Sequence, residues 1–110
     1  MTTRDASTIQ EKIIAKRLGG TRTPNSGATP FTKGDIVMDV AIIECKTKMK
    51  DCDGFQIKKD WLETLEEERR GMGKQAATLA FSFDQGQTNY YILDEKNIKR
   101  YLEYLQRDSR

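Results

Sequence analysis

The chain has no histidine and only two cysteines, Cys45 and Cys52. Without histidine there is no Ser-His or Cys-His nucleophile pair, no imidazole acid or base, and no His-ligated zinc or iron. Two loosely spaced cysteines form neither a disulfide framework nor a zinc site. The sequence also lacks any apolar run near bilayer length and any charged-then-apolar leader, so a cytoplasmic protein with no membrane segment is expected. Enzymatic chemistry would therefore fall to carboxylates, lysines and a hard cation, and no small-molecule cofactor is expected.

What the chain does have is charge. A third of its 110 residues are charged, and its length suits one compact domain with one core. The net charge of +2 is unevenly laid out. Residues 1 to 34 hold six basic side chains (Arg4, Lys12, Lys16, Arg17, Arg22, Lys33) against two acids (Asp5, Glu11), giving +4 and leaving −2 for the rest. A basic segment of this kind is compatible with a phosphate-backbone partner.

Periodicity sets out the elements. Ser7 and Gln10 read as a capping box, followed by Ile9, Ile13, Ile14 and Leu18 at helical spacing up to Gly19-Gly20. This spacing sets Glu11 on or beside the apolar stripe. The Gly, Pro, Thr and Ser-rich stretch "GGTRTPNSGATPFTKG" then reads as a flexible loop over about 19–34. "DIVMD" and "VAIIECKTK" read as two strands joined by a turn at Met38 to Val40. After the turn "DCDG", Ile57, Trp61, Leu62 and Leu65 predict a second helix with Gly71 as its cap. "QAATLAFSF" and "TNYYIL" predict two more strands about a "DQGQ" turn, and Ile98, Tyr101, Leu102 and Leu105 a terminal amphipathic helix. The order implies a single-domain α/β fold, a mixed β-sheet flanked by helices.

The charged residues of the first hairpin stand out against its apolar run. Alternation puts Glu44 and Lys46 on one face with Ile42 and Lys48, and Ile43 and Cys45 on the other. With the turn near residue 39, Asp35 falls close to Glu44 across the ladder. Two carboxylates offer hard oxygens to Mg²⁺, an ion that keeps several waters. A retained water activated by the ion can attack phosphorus while an adjacent ammonium offsets charge. Lys46 occupies the position that ammonium needs.

The motif Gly34-Asp35 followed by Glu44-Cys45-Lys46 resembles the core of the PD-(D/E)XK nuclease superfamily, with Gly-Asp in place of Pro-Asp. The wider pattern is similar to archaeal-type Holliday junction resolvases, including phage resolvase-like proteins. It comprises Glu11, Arg22, Ser26-Gly27, Asp35, Glu44 and Lys46, then the helix around Trp61 and the strand "TLAFSF", over roughly residues 9 to 83. The resemblance implies a restriction-endonuclease-like core and a metal-dependent endodeoxyribonuclease, in the host cytoplasm if phage-encoded. It implies Glu11, Asp35, Glu44 and Lys46 as catalytic residues. Mg²⁺, for which Mn²⁺ substitutes, would be held by Asp35, Glu44 and the Cys45 carbonyl. Lys12, Arg22, Ser26, Lys33 and Lys48 would contact DNA. Lys12 stands where an arginine commonly follows the helix glutamate, keeping the charge but not the bidentate fork. Asp39 competes with Asp35 for the role of metal-binding acid.

The implied substrate is branched double-stranded DNA. Four-way junctions take two symmetric nicks and one chain offers one site, so a homodimer is expected. Tyr90, Tyr91 and Tyr101, in the C-terminal strand and helix, are its candidate contacts. Flap or nicked duplexes remain alternative substrates, and a non-catalytic nucleic-acid-binding module is the alternative class. The side chain of Cys45 reads as a small core group, Cys52 as a turn residue, Trp61 as core, and Glu66 to Glu68 as a solvated helix face.

Overall fold

A computed structural model describes residues 2–23, 35–48, 50, 52–54 and 56–109. In chain order its elements are α1 (Thr3–Leu18), β1 (Thr21–Arg22), β2 (Ile36–Val37), β3 (Ala41–Thr47), α2 (Lys59–Met72), β4 (Ala76–Ser82), β5 (Tyr90–Ile92) and α3 (Glu95–Asp108). The five strands form one sheet in the order β1-β2-β3-β4-β5. The central pair, β3 and β4, runs parallel from Ala41↔Ala76 to Thr47↔Ser82, and every other pairing is antiparallel. Parallel neighbours need a crossover, and α2 supplies it. The fold is thus a small single-domain α/β fold with a five-strand mixed sheet and three helices.

Alternation along β3 and β4 divides the core into two layers. Ile43, Cys45 and Ala80 face α1 and pack with Ile14 and Ile36. Ile42 and Leu79 face α2 and pack with Leu65, flanked by Trp61, Phe81 and Ile92. β2 and β3 form the expected hairpin, in register Ile36↔Ile43 and Val37↔Ile42.

Three expectations are corrected. The first helix starts at Thr3 and not near Ser7. Thr2 is its N-cap, and Thr2 and Asp5 make the reciprocal bonds of a capping box (2.9 and 3.1 Å). Gln10 is instead fully buried, and the α1 stripe runs through Ala6, Gln10 and Ile14, while Leu18 is exposed. The second helix continues through Gly71 to Met72, and Gly73 caps it in the left-handed region (φ 68°). The stretch expected as loop over 19–34 contains a strand, because Thr21 and Arg22 pair with Val37 and Ile36. Gly20 makes this possible, since a β-carbon there would collide with the side chain of Ile36. The rest of that stretch, residues 24–34, lies outside the described residues.

α3 is the outlier. Its N-cap Asp94 accepts a bond from the Asn97 N–H, yet none of its residues is buried. Ile98, Tyr101, Leu102 and Leu105 remain 38 to 52% exposed. Among the described residues, no helix is long and apolar enough to cross a membrane.

Candidate active site

The hairpin register sets the centre of the site. Asp35 directly precedes β2, and its N–H donates to the Ile43 carbonyl at 3.0 Å. Its carboxylate turns back onto β3, where Oδ2 accepts the Cys45 N–H at 2.8 Å. A strand residue points its N–H and C=O to the same edge, so the Cys45 carbonyl lies on the Asp35 side. Asp35 and Glu44 therefore meet across the ladder as the alternation demanded.

Burial in this corner governs protonation. Glu44 is pushed up to about 8, first by burial and then by the charge of Asp35, with Lys46 opposing. A hydrogen bond between the Asp35 and Glu44 side chains adds to the shift, which favours the protonated form of Glu44 near neutral pH. Glu11 is also raised, by burial and by the charge of Asp35, against the pull of Arg22. Asp35 thus acts on both other carboxylates. The Cys45 thiol is raised by burial and by the charges of Asp35, Glu11 and Glu44, which keeps it protonated and inert.

Cations stand around this acidic centre. Lys46 Nζ is 3.8 Å from Glu44 Oε1 and 4.4 Å from the centre of the Trp61 ring. Arg22 Nε is buried and lies 3.5 Å from Glu11 Oε1, its ion-pair partner among the described residues. Lys12 is exposed on α1, and Lys48 is exposed just beyond β3. Lys48 also lines a cavity of about 440 Å³ with Lys46, Lys58 and Trp61. Ser26 and Lys33 lie outside the described residues.

Of the residues singled out in the sequence, Glu11, Arg22, Asp35, Glu44, Cys45 and Lys46 come together. Asp39 does not. It sits exposed in the turn at the far end of the hairpin, where its carbonyl accepts a bond from Lys74 Nζ (3.1 Å).

Three residues with a part in this site escape a local reading. Glu68, expected on a solvated helix face, lines a cavity of about 140 Å³ with Glu44, Lys46 and Trp61, and its charge helps raise Glu44. Its position seven residues after Trp61 on one helix was the only signal in the sequence. Trp61 does pack against the core, and its ring face also holds Lys46. Gln10 ties α1 to the strands through Nε2, which donates to the Lys46 carbonyl (3.1 Å), the Ala80 carbonyl (3.4 Å) and Asn89 Oδ1 (3.1 Å).

Comparison with known proteins finds no matching family model, no matching curated protein and no matching solved structure.

Proposed function

We propose that this chain is a Mg²⁺-dependent, structure-selective DNA endonuclease with a restriction-endonuclease-like core, acting as a homodimer on four-way junctions. One observation carries the reading: Asp35 and Glu44 face each other across a strand pair with Lys46 beside them, and Glu11 reaches the same corner from a helix.

The donor set fits a hard dication. The corner holds more carboxylate than its burial tolerates as anions, which is why Glu44 retains a proton. Asp35, Glu44 and the Cys45 carbonyl would hold the ion. Among the described residues, no group of three or more His, Cys, Asp or Glu side chains forms a metal cluster. Waters would fill the remaining positions, as Mg²⁺ prefers. When bound, the ion supplies charge compensation at the phosphodiester and acidifies a water.

The protein's own groups divide the remaining work. Lys46, held between Glu44 and the Trp61 face, presents an ammonium where negative charge grows on a phosphoryl oxygen. Arg22 balances Glu11 in the free protein and is placed to exchange that partner for a phosphate, which its fork accepts bidentately. Lys12 and Lys48 extend the positive surface along a duplex. Gln10 anchors the Lys46 carbonyl, so the strand bearing the lysine stays in register with α1.

The test incubates the protein with Mg²⁺ or Mn²⁺ and a labelled four-way junction or a matched linear duplex, with Glu44→Ala in parallel. Paired symmetric nicks on the junction, lost in the variant while binding persists, are expected. Cutting of both substrates would make it a general nuclease, and binding without cutting in either ion would leave a nucleic-acid-binding module.

A further inference from the structure

Lys46 and Trp61 stand between two cavities of opposite character. On one side is the space of about 140 Å³ that holds Glu44, Asp60 and Glu68. On the other is the space of about 440 Å³ lined by Ser7, Thr47, Lys48, Gln56 and Lys58, with no carboxylate among its described lining residues. Lys58 Nζ is 5.7 Å from the centre of the Trp61 ring, which also holds Lys46 at 4.4 Å, so one indole gathers two ammoniums. Glu44 offsets the charge of Lys46 at 3.8 Å, whereas Lys58 forms no ion pair among the described residues.

Folding gains nothing from a lysine at position 58. It is the N-cap of α2, with extended backbone (φ −88°, ψ 136°), and its side chain makes no capping bond. Ser, Thr, Asp or Asn would bond a first-turn N–H there, and the positive end of the helix dipole disfavours a cation. Asp60 supplies the acid of that turn but lines the other cavity. Lys58 is exposed, and an exposed residue that breaks a local rule with no packing gain is the kind of departure found at binding sites.

We infer that the basic cavity holds one unpaired nucleotide of a DNA strand, its phosphate against Lys58, and that it does so without the metal. A phosphate group by itself would leave most of the space empty, while a whole nucleotide suits a volume within the ~300–1,000 Å³ of pockets that enclose a small molecule. Ser7, Thr47 and Gln56 offer neutral hydrogen-bonding groups to its oxygens and base edge. A base held in a duplex stays in its stack and cannot enter, so the substrate is DNA with an unpaired segment beside the cleaved phosphodiester. The place of the cleaved bond rests on the nuclease reading, but the binding of the strand does not.

The experiment follows a labelled oligothymidine and a blunt duplex of equal length by fluorescence anisotropy, in chelator and over a range of salt, for the full chain, Lys58→Ser and Lys59→Ser. Lys59 is the control, because its Nζ pairs with Glu63 (3.9 Å) and it does not line the cavity. Wild type is expected to bind the single strand more tightly than the duplex. Lys58→Ser should weaken that binding about fivefold at 0.1 M salt and lower the salt slope by ~0.7, the share of one single-strand phosphate contact. The same variant should raise the thermal midpoint, because serine caps α2. Circular dichroism follows folding, and Lys58→Gln stands in if the serine variant unfolds. Lys59→Ser should bind as wild type does. The proposal falls if the duplex binds as tightly as the single strand, if no single-strand binding survives in chelator, or if the two variants bind alike. Calorimetry with inorganic phosphate tests the other source of the anion: heat that Lys58→Ser removes, without oligonucleotide binding, would make this a free-anion site and overturn the proposal. A chain that binds the single strand through Lys58 but cuts no DNA in Mg²⁺ or Mn²⁺ sinks the nuclease reading alone. One that cuts DNA while Lys58→Ser binds as wild type sinks the nucleotide site alone.

Discussion

Asp35 reaches back across the β2–β3 ladder so that its Oδ2 accepts the Cys45 N–H at 2.8 Å, beside Glu44, whose side chain is hydrogen-bonded to it. The contact joins the acid of one strand to the Glu-X-Lys segment of the next. It also places two carboxyl groups side by side in a partly buried corner, an arrangement that costs stability when both are charged.

This pair makes stability depend on pH. Glu44 titrates near 8 in the folded protein and near ~4.3 unfolded, so between these values the native state holds the extra proton. Its contribution is fully present below the unfolded pKa and is lost as pH rises through the folded one. Urea unfolding in a chelator should give lower stability at pH 8.5 than at pH 5.5, with a slope of at most ~1.4 kcal/mol per pH unit for one proton. Added Mg²⁺ should flatten the slope. A metal-free protein equally stable at both values would refute this account.

Glu44→Gln keeps the shape and removes the titration. At pH 8.5 without metal the variant should match or exceed wild type by about 1–2 kcal/mol, yet lose Mg²⁺-dependent cleavage entirely. A clear loss of stability at that pH would mean that Glu44 is held by contacts that outweigh its burial.

Asp35 and Asp39 are separated by a paired alanine scan. Asp35→Ala should abolish divalent-ion binding by calorimetry, whereas Asp39→Ala, in the exposed turn, should bind as wild type does. Equal losses in both would give Asp39 a role its position does not explain.

Trp61 is the only tryptophan, and Lys46 Nζ lies 4.4 Å from the centre of its ring. Trp61→Phe should retain most of the cleavage rate and Trp61→Leu should lose about two- to thirtyfold, because a cation–π contact contributes roughly 0.5–2 kcal/mol. Equal rates for the two variants would leave the ring a packing role alone.

Gln10 and Gly86 hold the strand ends against α1. Gly86 has φ 92°, and a β-carbon there would fall 2.6 Å from Gln10 Cα. Gly86→Ala should destabilise by more than ~1 kcal/mol through strain and collision. Gln10→Ala should cost about 1–3 kcal/mol, because the Ala80 and Lys46 carbonyls lose their shared donor. Thermal unfolding reads both, and an unshifted Gln10→Ala midpoint would show that water replaces the amide.

How far the sequence could be read follows the range of the interactions. The hairpin was legible because strand alternation and a short turn are local, and they alone bring Asp35 to Glu44. The helices could be placed for the same reason, but their ends could not. Thr2/Asp5 and Ser7/Gln10 are equally good capping patterns, and only the packing of Gln10 beneath the strands decides between them. Gly71 and Gly73 are likewise equivalent in composition, and the left-handed turn falls at the second.

By itself, then, the sequence determined the order of the three helices and of four of the five strands, the charged hairpin and the absence of histidine chemistry, all of which follow from residue type and short-range periodicity, whereas β1 depends on pairing with β2. Tertiary structure alone decided that Glu68 and Trp61 join the Glu44 corner, that Gln10 bridges α1 to two strands, and that Asp39 stands apart. It also decided that the apolar face of α3 stays uncovered within its own chain. Those outcomes depend on which surfaces meet across the sheet, and residues tens of positions apart carry no local pattern that reports it.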